Sequence, residues 1–270
     1  MSENYIEDLN KRFLQLKKEI TQLLFNTNKS AYSHLQNYIF FAHKPVFSFT
    51  EAILILCKNE KSNAAKVLLR TLFEAHIDII YHQIKDPEQR LAFSAKRMFD
   101  ERITILKEIV SLIKKYPNLE SQDKTNLFNN TYLTKALADQ NTHRQAILRA
   151  NQNLNGTKHL SDKAKLCDEG NVKNAEPGSF ERMYSLIYRQ LSPVAHLNIG
   201  GLQTFVEQGE YGKIFFHDGD SEDFIATQAV EISIAFSKDL YDNKILTGGQ
   251  IRIIQEIEKF IAQANIQFKE

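Results

Sequence analysis

The segment YRQLSPVAHLN, residues 188–198, carries Arg189 and His196 seven positions apart. On a continuous helix that interval turns about 700°, so the two side chains leave almost the same face, about 10.5 Å apart along the axis. A guanidinium grips phosphate oxygens in a fork, and an imidazole moves protons near neutral pH. Ser192 shares the face. Pro193 removes the N–H that would bond the Arg189 carbonyl, so the helix must kink or restart there, with Ser192 as N-cap and Pro193 in the first turn. Two readings stay open: Arg189 and His196 converge on one phosphate, or His196 satisfies a carbonyl at the kink while Arg189 pairs with an acid.

A second set lies in KVLLRTLFEAHIDIIYH, residues 66–82, where Lys66, Arg70, Glu74 and Asp78 follow one i,i+4 row and His76 falls on the opposite, apolar side. As a solvated stripe, its Arg70–Glu74 pair contributes a few tenths of a kcal/mol. As the wall of a polar groove, the row would support chemistry. His76 reads as a hydrogen-bonded core histidine. HDGDSED, at 217–223, lacks the glycine and the closing glutamate of a calcium loop and reads better as a helix start capped by Asp220 or Ser221. Cys57 and Cys167 have no zinc-type spacing and are expected as reduced thiols. No metal and no cofactor is expected. A Ser192–His196 hydrolase lacks the nucleophile elbow such enzymes use.

The elements that must carry these groups are helical. Ten glycines and five prolines in 270 residues favour long elements over short strands, and 43% hydrophobic with 25% charged residues suits a folded globular chain. Apolar spacing predicts helices over 4–27, 31–42, 51–58 with Thr50 as N-cap, 61–85, 87–115 opened by Pro87, 131–151, one capped by Ser179, 221–243 and 249–266. LQTFVEQGEYGKIFFHD predicts one small β-hairpin near 202–217. The expected whole is all-α: a multi-helix bundle forming a single domain over 1–270, with an irregular excursion at about 117–178.

Thirty-four basic against 33 acidic residues leave a charge of +1, so any polyanion must be held locally. Residues 141–165 offer Arg144, Arg149, Lys158, Lys163 and Lys165 against Asp162 alone, while 197–270 hold twelve acids and six bases. That asymmetry permits a basic RNA-binding track. No signal-peptide pattern and no run of about 18 consecutive apolar residues occurs, so a cytoplasmic protein without a membrane partner is expected.

Two resemblances follow. LLRTLFEAHIDIIY with the later YRQLSPVAHLN resembles the bacterial domain of unknown function 5677 family, whose members carry an Arg-x3-Glu helix and a Ser-x3-His stretch; the likeness spans roughly 50–205. RQLSPVAH is similar to the Arg-x4–6-His motif of HEPN domains, helical bundles many of which are ribonucleases of toxin–antitoxin and antiviral systems. Gln190 stands where those domains usually carry Asn, Asp or His. The HEPN resemblance implies a metal-independent endoribonuclease with Arg189 and His196 catalytic, and Arg70, Glu74 and Ser192, from the pattern shared with the 5677 family, are expected to support the site together with Gln190. It also implies RNA as substrate, a homodimer that faces two motifs, and a protein regulator or antitoxin. The competing class is a non-catalytic helical module that binds a protein or small ligand through the groove of Arg70, Glu74 and His196.

Overall fold

The computed structural model describes residues 4–27, 32–123, 126–151, 154, 156–170, 179–185, 206–208, 214–216, 222–246 and 252–267. Their elements are α1 (Tyr5–Phe25), α2 (His34–Lys58), α3 (Ser62–Gln83), α4 (Pro87–Lys115), α5 (Asn130–Ala150), α6 (Leu160–Glu169) and α7 (Ser179–Met183), then β1 (Val206–Gln208) and β2 (Ile214–Phe216), then α8 (Glu222–Asp242) and α9 (Arg252–Gln267). The class is all-α and multi-helical. Among the described residues one hairpin sits where the turn pattern predicts it, with Val206, Glu207 and Gln208 opposite Phe216, Phe215 and Ile214. The chain divides into two compact units, residues 1–84 with 158–270, and residues 85–157.

In the first unit α2 packs on α1, α3 and α8, and α9 covers α1. The i, i+3/i+4 spacing in α1 buries Leu9, Phe13, Leu16, Ile20 and Leu24. In the last turn Leu24 is inside and Leu23 is exposed. Each such apolar side chain contributes roughly 1.5–3 kcal/mol on burial. Helix α8 brings three small polar groups into this core, each satisfied. Thr227 donates to the Asp223 carbonyl and meets the Tyr5 hydroxyl at 2.8 Å, Ser237 donates to the Ser233 carbonyl, and Ser233 meets Thr50 at 2.7 Å.

Two sequence expectations are corrected. The helices expected at 31–42 and 51–58 are one, α2, with Pro45 inside it. The true N-cap is Ser33, which accepts from the Gln36 N–H while the Gln36 side chain accepts from the Ser33 N–H. Thr50 is a buried mid-helix residue donating to the Val46 carbonyl. An interior proline costs about 3 kcal/mol, but Ile39, Phe40, Val46, Phe47, Ile53 and Leu54 are all buried on the two sides of it. That burial exceeds the proline penalty. By length and composition alone α2 is apolar enough to cross a membrane, although polar residues interrupt it and it holds no unbroken apolar run of that length.

The second correction lies within the excursion expected to be irregular at about 117–178: Leu160–Glu169 is helical, with Lys163, Ala164 and Cys167 on its buried side. In the second unit α4 and α5 pair over a small core of Leu106, Ile113 and Leu133. Asp86 precedes α4 in the left-handed region at φ 58°, and Pro87 takes the first turn.

Candidate functional site

Helix α3 carries the charged row, and tertiary packing divides it. Lys66 is 6% exposed, the Arg70 side chain 13%, while the Glu74 and Asp78 side chains are open at 42% and 37%. Arg70 Nε stands 3.4 Å from Glu74 Oε1. The row is therefore no simple solvated stripe: its N-terminal half is inside the first unit and its C-terminal half reaches the surface.

Asp78 has a second role. Its Oδ1 accepts from Lys163 Nζ at 2.5 Å, and that ammonium lies 5.3 Å from the Tyr81 ring centroid. A buried ammonium requires such a partner. The pair ties α6 to α3, and α6 in turn orders α7: the Asp168 carboxylate accepts from the Phe180 and Glu181 N–H groups at 3.1 and 2.8 Å. Asp168, from another helix, thus performs the capping expected of Ser179. The short helix α7 leads along the chain toward Arg189.

Around the row lie buried aromatic and imidazole groups. His82 Nδ1 is 2.6 Å from the Asp78 carbonyl oxygen, and its ring centroid is 4.9 Å from that of Tyr38. Burial first, and then the Asp78 charge, raise the Tyr38 hydroxyl above its ordinary pKa. On the opposite side of α3, His76 is buried with its ring 5.9 Å from Phe180. Burial lowers its pKa to about 4. Its Nδ1 has no hydrogen-bond partner among the described residues, so the expected hydrogen-bonded core histidine is buried but unsatisfied at that nitrogen.

The expected motif residues Arg189, Gln190, Ser192 and His196 lie outside the described residues, as do Asp220 and Ser221. The expected RNA track is distributed over both units. Arg144 belongs to α5 and bonds Asp100 at 2.5 Å, and Arg149 is exposed near the end of the same helix. Lys158 is exposed, and Lys165 is exposed with Glu169 at 3.8 Å. Lys163 is buried against Asp78, which removes it from any surface track. Sequence reasoning missed that pair, although Leu160, Ala164 and Cys167 already recur at helical spacing in LSDKAKLC.

A sequence model described as Family of unknown function (DUF5677) matches residues 36–214. The chain belongs to this family. The DUF5677 span holds the α3 row, α4 to α7 and the Arg189–His196 segment, and leaves α1, α8 and α9 outside it. No curated protein and no solved structure matches the chain.

Glu74→Ala is expected to destabilise the protein by about 1 kcal/mol, above the few tenths of an exposed i,i+4 pair, because Arg70 is mostly buried. Denaturant titration checks this. A loss within error of zero would reassign the pair to the solvated surface.

Proposed function

We propose that this DUF5677 protein is a metal-independent endoribonuclease of the HEPN type, in which Arg189 stabilises charge on the scissile phosphate and His196 transfers the proton. The observation that carries the reading is the half-buried charged row on α3. Burying Lys66 and most of Arg70 is costly for a fold that could place apolar residues there, and cations gathered on one helix row supply the positive charge that a phosphate substrate needs. The chemistry is transesterification. His196 takes the proton from a ribose 2′-OH, the 2′-oxygen attacks phosphorus, and the 5′-oxygen leaves with a proton from a second acid. One imidazole cannot fill both roles at one instant, so two motifs facing each other in a dimer supply base and acid. A cytoplasmic setting and a regulating protein partner, as in toxin or antiviral systems, belong to this proposal.

The test is incubation of purified protein with RNA in EDTA. Cleavage is expected to leave a 2′,3′-cyclic phosphate, to spare DNA, and to be lost in His196→Ala and Arg189→Ala while their melting temperatures stay close to wild type. Cleavage that survives both substitutions would overturn the assignment. An inactive wild-type protein that co-purifies with a stable partner would support the binding-module reading instead.

A further inference from the structure

Five residues make up α7, and of these only Phe180 is buried. A helix that short has no stability of its own. Two backbone bonds to the Asp168 carboxylate hold it down, together with the Phe180 ring, which sits in the cluster of Ile77, Ile80, Ala164 and Cys167. Helix α6, on which α7 packs, is anchored separately by Lys163 on Asp78. Beside Phe180 lies His76, 6% exposed, with ring centroids 5.9 Å apart and planes at 34°. No donor or acceptor among the described residues reaches its Nδ1. A second proton on this ring would place a charge in an apolar surrounding with nothing to stabilise it at that nitrogen, which strongly disfavours the charged form. Water reaches the ring only when the side chain covering it moves off.

We infer that α7 is a latch over His76 that acid opens: proton uptake by the imidazole and undocking of Phe180 are one event, and the helices around it stay folded. The latch is independent of the ribonuclease reading. With α7 closed, burial holds the imidazole at about 4, below its ordinary 6.5, so falling pH favours the open form. Burial is the whole cause of that difference. The charged groups of the packed elements add nothing to it: Glu74 and Asp78 on α3 itself, Lys163 and Asp168 on α6, Glu181 and Arg182 on α7. The same is true of Lys44 on α2 and Glu231 on α8. Opening of so short an element, with one buried side chain, requires far less than unfolding of the first unit. Helix α7 ends six residues before Arg189, so the latch fixes the chain just ahead of that residue.

Amide hydrogen exchange of the full chain, corrected for the intrinsic pH dependence of exchange, tests this. Protection over residues 179–184 is expected to fall about thirtyfold from pH 7.5 to pH 5, while α1, α2 and α8 keep theirs within a few-fold. The interval ends above the range in which ordinary carboxylates titrate. His76→Gln, which has no proton to take up, should hold the protection of α7 level across it. In Phe180→Ala, which removes the cover, nuclear magnetic resonance of the imidazole should show His76 titrating close to 6.5. Wild-type protection of α7 that does not change with pH, a fall that survives His76→Gln, or a fall shared equally by α1, α2 and α8 would each overturn the latch. A His76 that still titrates near 4 in Phe180→Ala would show that Phe180 is not its cover, and would overturn it as well.

Discussion

Replacing Asp239 with Asn is expected to stabilise the protein at pH 8 by on the order of 4 kcal/mol and to change little at pH 4. Asp239 lies in α8, is 9% exposed, and has one carboxylate oxygen without a hydrogen-bond partner among the described residues. Burial raises its pKa from 3.8 to about 7; a hydrogen bond with Gln83 lowers it, and the nearby Asp242 raises it. The surroundings form a polar lattice: Asn243 donates to Gln83 Oε1 at 2.6 Å and to the Asp239 carbonyl at 2.9 Å, and its own carbonyl accepts from Gln36. Because the folded pKa exceeds the unfolded one, the folded state holds a proton that the unfolded state has released. The associated stability is complete below about pH 4 and is lost as pH rises through about 7. An amide of the same shape carries no charge to bury. Stability should be measured by denaturant unfolding at intervals from pH 4 to 8, and curves for the two proteins that run parallel would contradict the assignment.

His76 contributes with the opposite sign. Its folded pKa of about 4 lies below the ordinary 6.5, so the unfolded chain takes up the proton first as pH falls. The stability due to neutral His76 is therefore present above about pH 6.5 and disappears as pH falls toward 4, a loss of about 3 kcal/mol. His76→Gln should remove that component of acid destabilisation, so that between pH 6.5 and 4 the variant gains about 3 kcal/mol relative to wild type and shows the Asp239 trend unopposed. Should both proteins lose stability equally over that interval, His76 would not be the group that titrates. Asp239 and His76 lean in opposite directions and largely cancel in the wild type, so each single variant should show a stronger pH dependence from these groups than either the wild type or the double variant.

Much of the helical layout was legible along the chain. The row in α1 and the Asp86-Pro87 start of α4 are local signals, and the structure follows them to within a residue or two. Pro45 misled because its penalty is local while the burial that outweighs it comes from elements far away in sequence. The same holds for α7, whose first N–H groups are received by Asp168, eleven residues before Ser179. The charged row of α3 was legible as geometry. That Lys66 and Arg70 go inside while Glu74 and Asp78 stay open was not, since periodicity shows which residues share a face but not how deeply a neighbouring helix covers each turn.

The sequence by itself determined the helical class, the hairpin, the presence of a charged row on α3, and the seven-residue spacing of Arg189 and His196. These depend on periodicities of 3.6 and 2 and on turn chemistry, which act between residues close along the chain. Tertiary structure decided which polar groups became buried: Asp239 with Gln83, His76 beside Phe180, and Lys163 on Asp78. It also decided which apolar positions stayed outside, as at Met98, Ile105 and Leu112 of α4. Burial of a charge or exposure of a leucine depends on partners brought together from distant parts of the chain, and no local pattern carries that information.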